Sequence, residues 1–135
     1  GGQCDAAPAA LANSLRAAAR EIGVRVDDMP TLVDPADEAL FGYHLVFMHG
    51  RQTFSFDAAR RKQLEEFLDR GGMLLADSIC ASPGFSEAFR KEIAQIVPGK
   101  PLEEIPADDP LFTAAEYGGY DIRTVPLRER ADRAG

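Results

Sequence analysis

Two short runs of nearly continuous apolar character, Tyr43-His44-Leu45-Val46-Phe47-Met48 and Met73-Leu74-Leu75-Ala76-Asp77, frame the middle of the chain. Runs of this length predict strands buried on both faces. Between them Leu64, Phe67 and Leu68 recur at helical spacing, and the pair Gly71-Gly72 follows where a helix needs a left-handed stop. The pattern predicts a helix from about Asp57 to Arg70. Strand, crossover helix and strand form a βαβ unit, which is expected to be right-handed with parallel strands.

Other elements follow from the same reading. Leu11, Leu15, Ala18 and Ile22 form an apolar stripe that predicts a helix over Pro8–Ile22, opened by Pro8 and ended by Gly23. Val24-Arg25-Val26 alternates as a short strand, and Asp34-Pro35 predicts a short helix through Leu40 with Asp34 as its N-cap. Phe85, Phe89, Ile93, Ile96 and Val97 predict a helix stopped by Pro98-Gly99. Leu102–Ile105 reads as an edge strand, and Asp108-Asp109-Pro110-Leu111-Phe112 as a turn into a short helix. Strands alternating with helices define an α/β domain, a three-layer sandwich with a mostly parallel sheet. A flavodoxin-like or amidotransferase-like sheet would carry a further strand before the first helix, with Gly1-Gly2 as the turn after it. The chain therefore reads as truncated. Residues 1–127 are expected to be a single domain, and the charged 128–135 a frayed tail or the start of a removed segment.

Composition narrows the classes of function. A net charge of −7 over 135 residues, with basic residues interleaved among acidic ones, argues against nucleic acid as partner. No apolar stretch is long enough for a membrane span, so this segment is not expected to insert. Gly1 is not a methionine, and an export signal or anchor lost with the missing end would place the protein outside the cytoplasm. Cys4 and Cys80 have no CxxC spacing or ordered histidines, and no metal site or cofactor motif is expected.

In open parallel sheets, ligands sit outside the carboxyl ends of the strands. Here those ends carry His49-Gly50 and Asp77-Ser78-Ile79-Cys80. Cys80 follows a strand and precedes a helix, the setting of a nucleophile elbow. If the domain is an enzyme, Cys80 is the nucleophile, His49 the base and Asp77 the group that orients it. Against this, Ile79 is bulky where an elbow wants glycine, and both histidines, His44 and His49, lie upstream of the cysteine. The preferred reading of Cys80 is a small buried loop residue. Likewise Asp77 is expected to cap a loop and His49 to pack beneath Phe54 or Phe56, while His44 is structural. Arg90, with Glu92, offers an anion contact, against the plainer reading of a solvated helix face shared with Glu87 and Lys91.

The order of these pieces resembles a bacterial family catalogued as domain of unknown function 4159. The marks are Gly1-Gly2, His49-Gly50 followed by Phe54-Ser55-Phe56, and Gly71-Gly72-Met73-Leu74-Leu75-Ala76-Asp77. Then come Phe85-Ser86-Glu87-Ala88-Phe89-Arg90-Lys91-Glu92 and Pro106-Ala107-Asp108-Asp109-Pro110-Leu111-Phe112. The resemblance implies a class I glutamine amidotransferase-like fold with no established activity, within larger proteins that are sometimes exported or membrane-associated. Two features depart from the family pattern. Asp77-Ser78 stands where the family has paired aspartates, and the loop before His49 is shorter. No metal or acid–base role is carried over from paired carboxylates.

The leading expectation is a non-catalytic amidotransferase-like domain that binds a small molecule or protein partner at His49, Gly50, Asp77, Ser78 and Arg90. The alternatives are a cysteine-dependent hydrolase or amidotransferase-like enzyme, and a structural module of a larger envelope protein.

Overall fold

A computed structural model describes residues 9–23, 25, 31–113 and 121. The chain forms two compact units, residues 1–102 and 103–135. The first unit holds helix α1 (Ala10–Ile22), strand β1 (Leu45–Gly50), helix α2 (Ala58–Asp69), strand β2 (Met73–Ser78) and helix α3 (Pro83–Ile96). In the second, the described elements reduce to the short helix α4 (Pro110–Thr113), whose first turn Asp109 supports by accepting the Leu111 N–H at 2.9 Å.

β1 and β2 run parallel with an unbroken register from Leu45 opposite Met73 to Gly50 opposite Ser78. The predicted βαβ unit is present, and α2 ends as its glycines require. Gly71 takes φ +88°, its N–H bonds Leu68 O at 3.0 Å, and the Gly72 N–H reaches back to Phe67 O at 2.9 Å. These are the two bonds of a Schellman stop. Asp57 begins the helix by accepting the Arg60 N–H at 2.8 Å, which satisfies one of its otherwise orphaned donors. Gly23 closes α1 with φ 69° and an N–H bond to Ala19 O.

The core lies between the helices and one face of the sheet. Leu64 and Phe67 of α2 meet Ile93 and Ile96 of α3 and Leu40, all nearly inaccessible, with Val46 and Leu74 packed against them from the strands. Burial of each such side chain stabilises the fold by about 1.5–3 kcal/mol. α2 and α3 are also joined by charge. Arg61 donates to both carboxylate oxygens of Glu92 at 2.8 and 3.1 Å, and Glu92 is only 2% exposed. Arg61 first, with the neighbouring Phe56 backbone N–H after it, holds the Glu92 carboxyl below the ordinary carboxylate range despite burial.

Several expectations are corrected. Among the described residues the helices cover one face of the strands. Side chains alternate across a strand, and on the face away from the core Leu45, Met73 and Leu75 are exposed, Met73 to 60%. The reason is that both α2 and α3 pack on the side of Val46 and Leu74. The short helix after Asp34 begins later, as a 3-10 helix over Glu38–Gly42 capped by Asp37, whose carboxylate accepts the Ala39 N–H. Asp34 is instead held by Arg60 and makes a turn to the Ala36 N–H. Leu102–Ile105 is irregular and exposed, with no ladder partner among the described residues. In α1 the inward positions are Leu11, Ala12, Leu15 and Ala19, and Ala18 faces out. Pro8, Val24, Val26, Cys4, the side chain of Ile22 and nearly all of the tail after Thr113 lie outside the described residues.

Candidate functional site

The parallel register brings the two strand ends together as the sequence suggested. His49 stands opposite Asp77, and Gly50 opposite Ser78. Alternation then places His49 and Asp77 on one face and Gly50 and Ser78 on the other. His49 stacks against Phe47, with ring centroids 5.0 Å apart. It does not lie beneath Phe54 or Phe56, because Phe54 pairs with Phe56 and with Phe85 of α3. Its Nδ1 is buried with no hydrogen-bond partner among the described residues. A buried unpaired ring nitrogen is costly, and such groups recur at sites that complete themselves with a ligand or water. Asp77 is exposed and caps nothing among the described residues.

After β2 the chain turns sharply. Ile79 drives its side chain into the interior, 8% exposed, while Cys80 is thrown outward into solvent. Cys80 (φ 56°, ψ 33°) and Ala81 (φ 52°) both take left-handed backbone without being glycine. Two such residues in succession cost free energy and persist only where the surroundings impose them. The bulky Ile79 is therefore an anchor for the turn, and Cys80 is not the buried packing residue expected.

Sequence reasoning missed Arg51. It directly follows the His49-Gly50 pair, and its Nη2 donates to Cys80 Sγ at 3.2 Å, so the loop after β1 reaches the loop after β2. A second tie runs the other way, from the Ser82 hydroxyl to the carbonyl of Arg51. Ser82 is also the N-cap of α3, yet its hydroxyl caps none of the helix N–H groups. The first turn of this 14-residue helix, with Pro83 at its start, is left without a side-chain acceptor. The start of α3 lies beside the loop after β1, where a Cβ on Gly84 would sit in ordinary contact with the Arg51 carbonyl oxygen and Thr53 Cγ2. Ser78 contributes by donating to Ser82 O at 2.8 Å.

Not every expected residue joins this cluster. Arg90 is exposed, about 10 Å along α3 from Pro83 at 1.5 Å per residue, and no hydrogen bond or ion pair among the described residues links it to the strand ends. Glu92 is buried against Arg61 and unavailable to accompany it. Neither His49 nor Asp77 hydrogen-bonds Cys80 among the described residues, so the three are gathered at one end of the sheet without forming a connected relay. No group of three metal-ligating side chains occurs among the described residues.

The architecture and the site together define a mixed α/β domain with a small parallel sheet whose strand-end loops meet through Arg51 and Cys80. The chain belongs to the family described as Domain of unknown function (DUF4159), whose model matches residues 1–132. A comparison with curated proteins finds no match. No helix among the described residues is long and apolar enough to cross a membrane.

Proposed function

We propose that this domain is an amidotransferase-like, non-catalytic binding module that holds a small anionic ligand at the carboxyl ends of β1 and β2. The observation that carries this reading is the position of Arg51, whose guanidinium spans the two strand-end loops in a chain of net charge −7. Its backbone is tethered to Ser82 and its tip to Cys80, so less side-chain freedom remains to be lost on binding. The uncapped first turn of α3 adds backbone N–H donors and a partial positive charge. A carboxylate or phosphate suits both, because the guanidinium fork matches planar oxyanions. Ser78 then braces the turn by donating to Ser82 O, while His49 and Asp77 flank the strand ends from the other face and set which neutral groups accompany the anion.

Titration with inorganic phosphate and with acetate, followed by backbone amide shifts, tests the proposal. Saturable shifts at residues 50–52 and 79–85 that disappear in Arg51→Gln support it. Shifts that survive Arg51→Gln, or none at all up to tens of millimolar, overturn it.

The exposure of Cys80 on a left-handed turn beside Arg51 favours a second reading, a cysteine-dependent hydrolase or amidotransferase-like enzyme. Cys80 is then the nucleophile, His49 the base and Asp77 its orienter. Iodoacetamide alkylation at fixed pH separates the two readings. A rate on Cys80 well above that of a short peptide thiol, and reduced in His49→Ala, selects the enzyme. An ordinary rate insensitive to His49 selects the binding module.

A further inference from the structure

A separate recess lies in this unit. A cleft of about 600 Å³ opens at the start of α2, its lining shared between the apolar Met48, Phe54 and Phe56 and the charged Asp34, Asp57 and Arg60. Its size falls within the range of small-molecule sites, roughly 300–1,000 Å³. We infer that this cleft binds a small organic cation carried on an aromatic or apolar body, such as an arylalkyl ammonium group.

Its charges decide the sign of the ligand. Arg60 is already spoken for: Nε and Nη2 donate to the two oxygens of Asp34 at 2.9 and 2.7 Å, and Nη1 donates to Asp57. An incoming anion would have to break a bidentate carboxylate contact to reach the guanidinium. Two carboxylates against one guanidinium leave an excess negative charge. Both are ionised at neutral pH, since Asp34 is held below the usual carboxylate range by Arg60, and Asp57 chiefly by the Arg60 backbone N–H. Each ionised carboxylate offers about four lone-pair sites. Arg60 and the Ala36 N–H use three on Asp34, while the Arg60 backbone and guanidinium use two on Asp57. Acceptor capacity remains on both.

The apolar part of the lining supplies the remaining recognition. Phe54 is fixed edge-on to Phe56 at 5.3 Å between centroids and against Phe85 at 5.2 Å, so the rings are preorganised. Both Phe54 and Phe56 remain half-buried, with surface to spare for a guest. Aromatic faces attract cations, and Met48 gives an adaptable apolar floor. A ligand with a cationic head and a ring meets both parts of the lining. A neutral or anionic analogue of the same shape meets only one. This site shares no residue with the cluster at the strand ends, so each inference can fail without the other.

Titrations of the whole chain with benzylammonium, benzyl alcohol and benzoate, read from backbone amide shifts, test it. The expected result is saturable movement of the Phe54, Ser55, Asp57 and Arg60 amides, with benzylammonium binding about tenfold or more tightly than benzyl alcohol, the worth of one charge-assisted hydrogen bond. Asp57→Asn keeps an equally good N-cap for α2 and should weaken benzylammonium about tenfold, leaving benzyl alcohol unchanged. Asp34→Asn provides a second variant that spares the helix cap and should act in the same direction. Equal binding of benzylammonium and benzyl alcohol, tighter binding of benzoate, or no saturable shift with any of the three overturns the inference.

Discussion

Replacing Gly72 by alanine should destabilise the domain, and by an amount that the geometry sets. A Cβ at this position would lie 2.5 Å from Cε2 and 2.6 Å from Cε1 of Phe67. Ordinary carbon–carbon contact is about 3.5–4.0 Å, so the ring or the backbone must give by roughly 1 Å. Phe67 has nowhere to go, being 2% exposed and enclosed by Leu40, Leu64, Ile93 and Ile96. Overpacking of this kind costs about 1–3 kcal/mol. Set against it, alanine restricts the unfolded chain and recovers about 0.4–1 kcal/mol. The overpacking term wins, with a net loss of about 1–2 kcal/mol, or ~4–8 °C in Tm for a domain of this size. Urea denaturation measures it directly, and the decisive comparison uses two further variants. In a Phe67→Leu background the smaller side chain makes room, so the Gly72→Ala penalty should fall by at least ~0.5 kcal/mol. Gly71→Ala is the control. Gly71 has open space around it but φ +88°, so its penalty of about 1–2 kcal/mol is a backbone cost and should be the same in both backgrounds. Strict additivity of Gly72→Ala with Phe67→Leu would refute the argument.

Three further outcomes are expected. Glu92 has its pKa lowered in the fold, chiefly by Arg61, so its ion pair contributes fully above the unfolded carboxyl value of ~4.3 and is lost as pH falls through the lower folded value. The Tm gap between the wild-type chain and Glu92→Gln should accordingly be widest at neutral pH and close as the solution is acidified below about pH 4. One-sided coverage of the sheet predicts that Leu74→Ala, against the core, costs about 2–3 kcal/mol while Leu75→Ala, half exposed, costs under ~1 kcal/mol, as denaturation midpoints will show. Ser82→Ala removes the tie to the Arg51 carbonyl, and hydrogen exchange should quicken together in residues 51–53 and 82–86.

What the sequence made legible and what it hid follow physical lines. α2, α3 and the Gly71-Gly72 stop were readable because helical spacing and left-handed glycine are local properties. The parallel pairing of β1 with β2 followed from a crossover of helical length. From that came the adjacency of His49 and Asp77. The open face of the sheet was not readable, because an apolar run reports what a strand is made of and not what covers it. Arg51 with Cys80 and Arg61 with Glu92 escaped for a related reason. Each pair joins separate elements, whereas local charge rules assign Glu92 to its own helix and give Arg51 no partner. The sequence pattern predicts Asp34 as the cap of the short helix, and Arg60, reaching from α2, is what commits it elsewhere and leaves the capping to Asp37.

All six rungs of the β1–β2 ladder share one constant offset, and this has a consequence for how such a domain tolerates change over generations. Sliding β2 by a single residue would exchange its two faces, carrying Asp77 away from His49 and pushing Leu75 into the place of Leu74. An insertion in the loop between Arg51 and Asp57 would lengthen a connection without moving a rung, but an insertion between Gly72 and Ala76 would re-pair every residue after it and part Asp77 from His49. Indels should thus be tolerated in that loop and purged within β2, a boundary set by strand register.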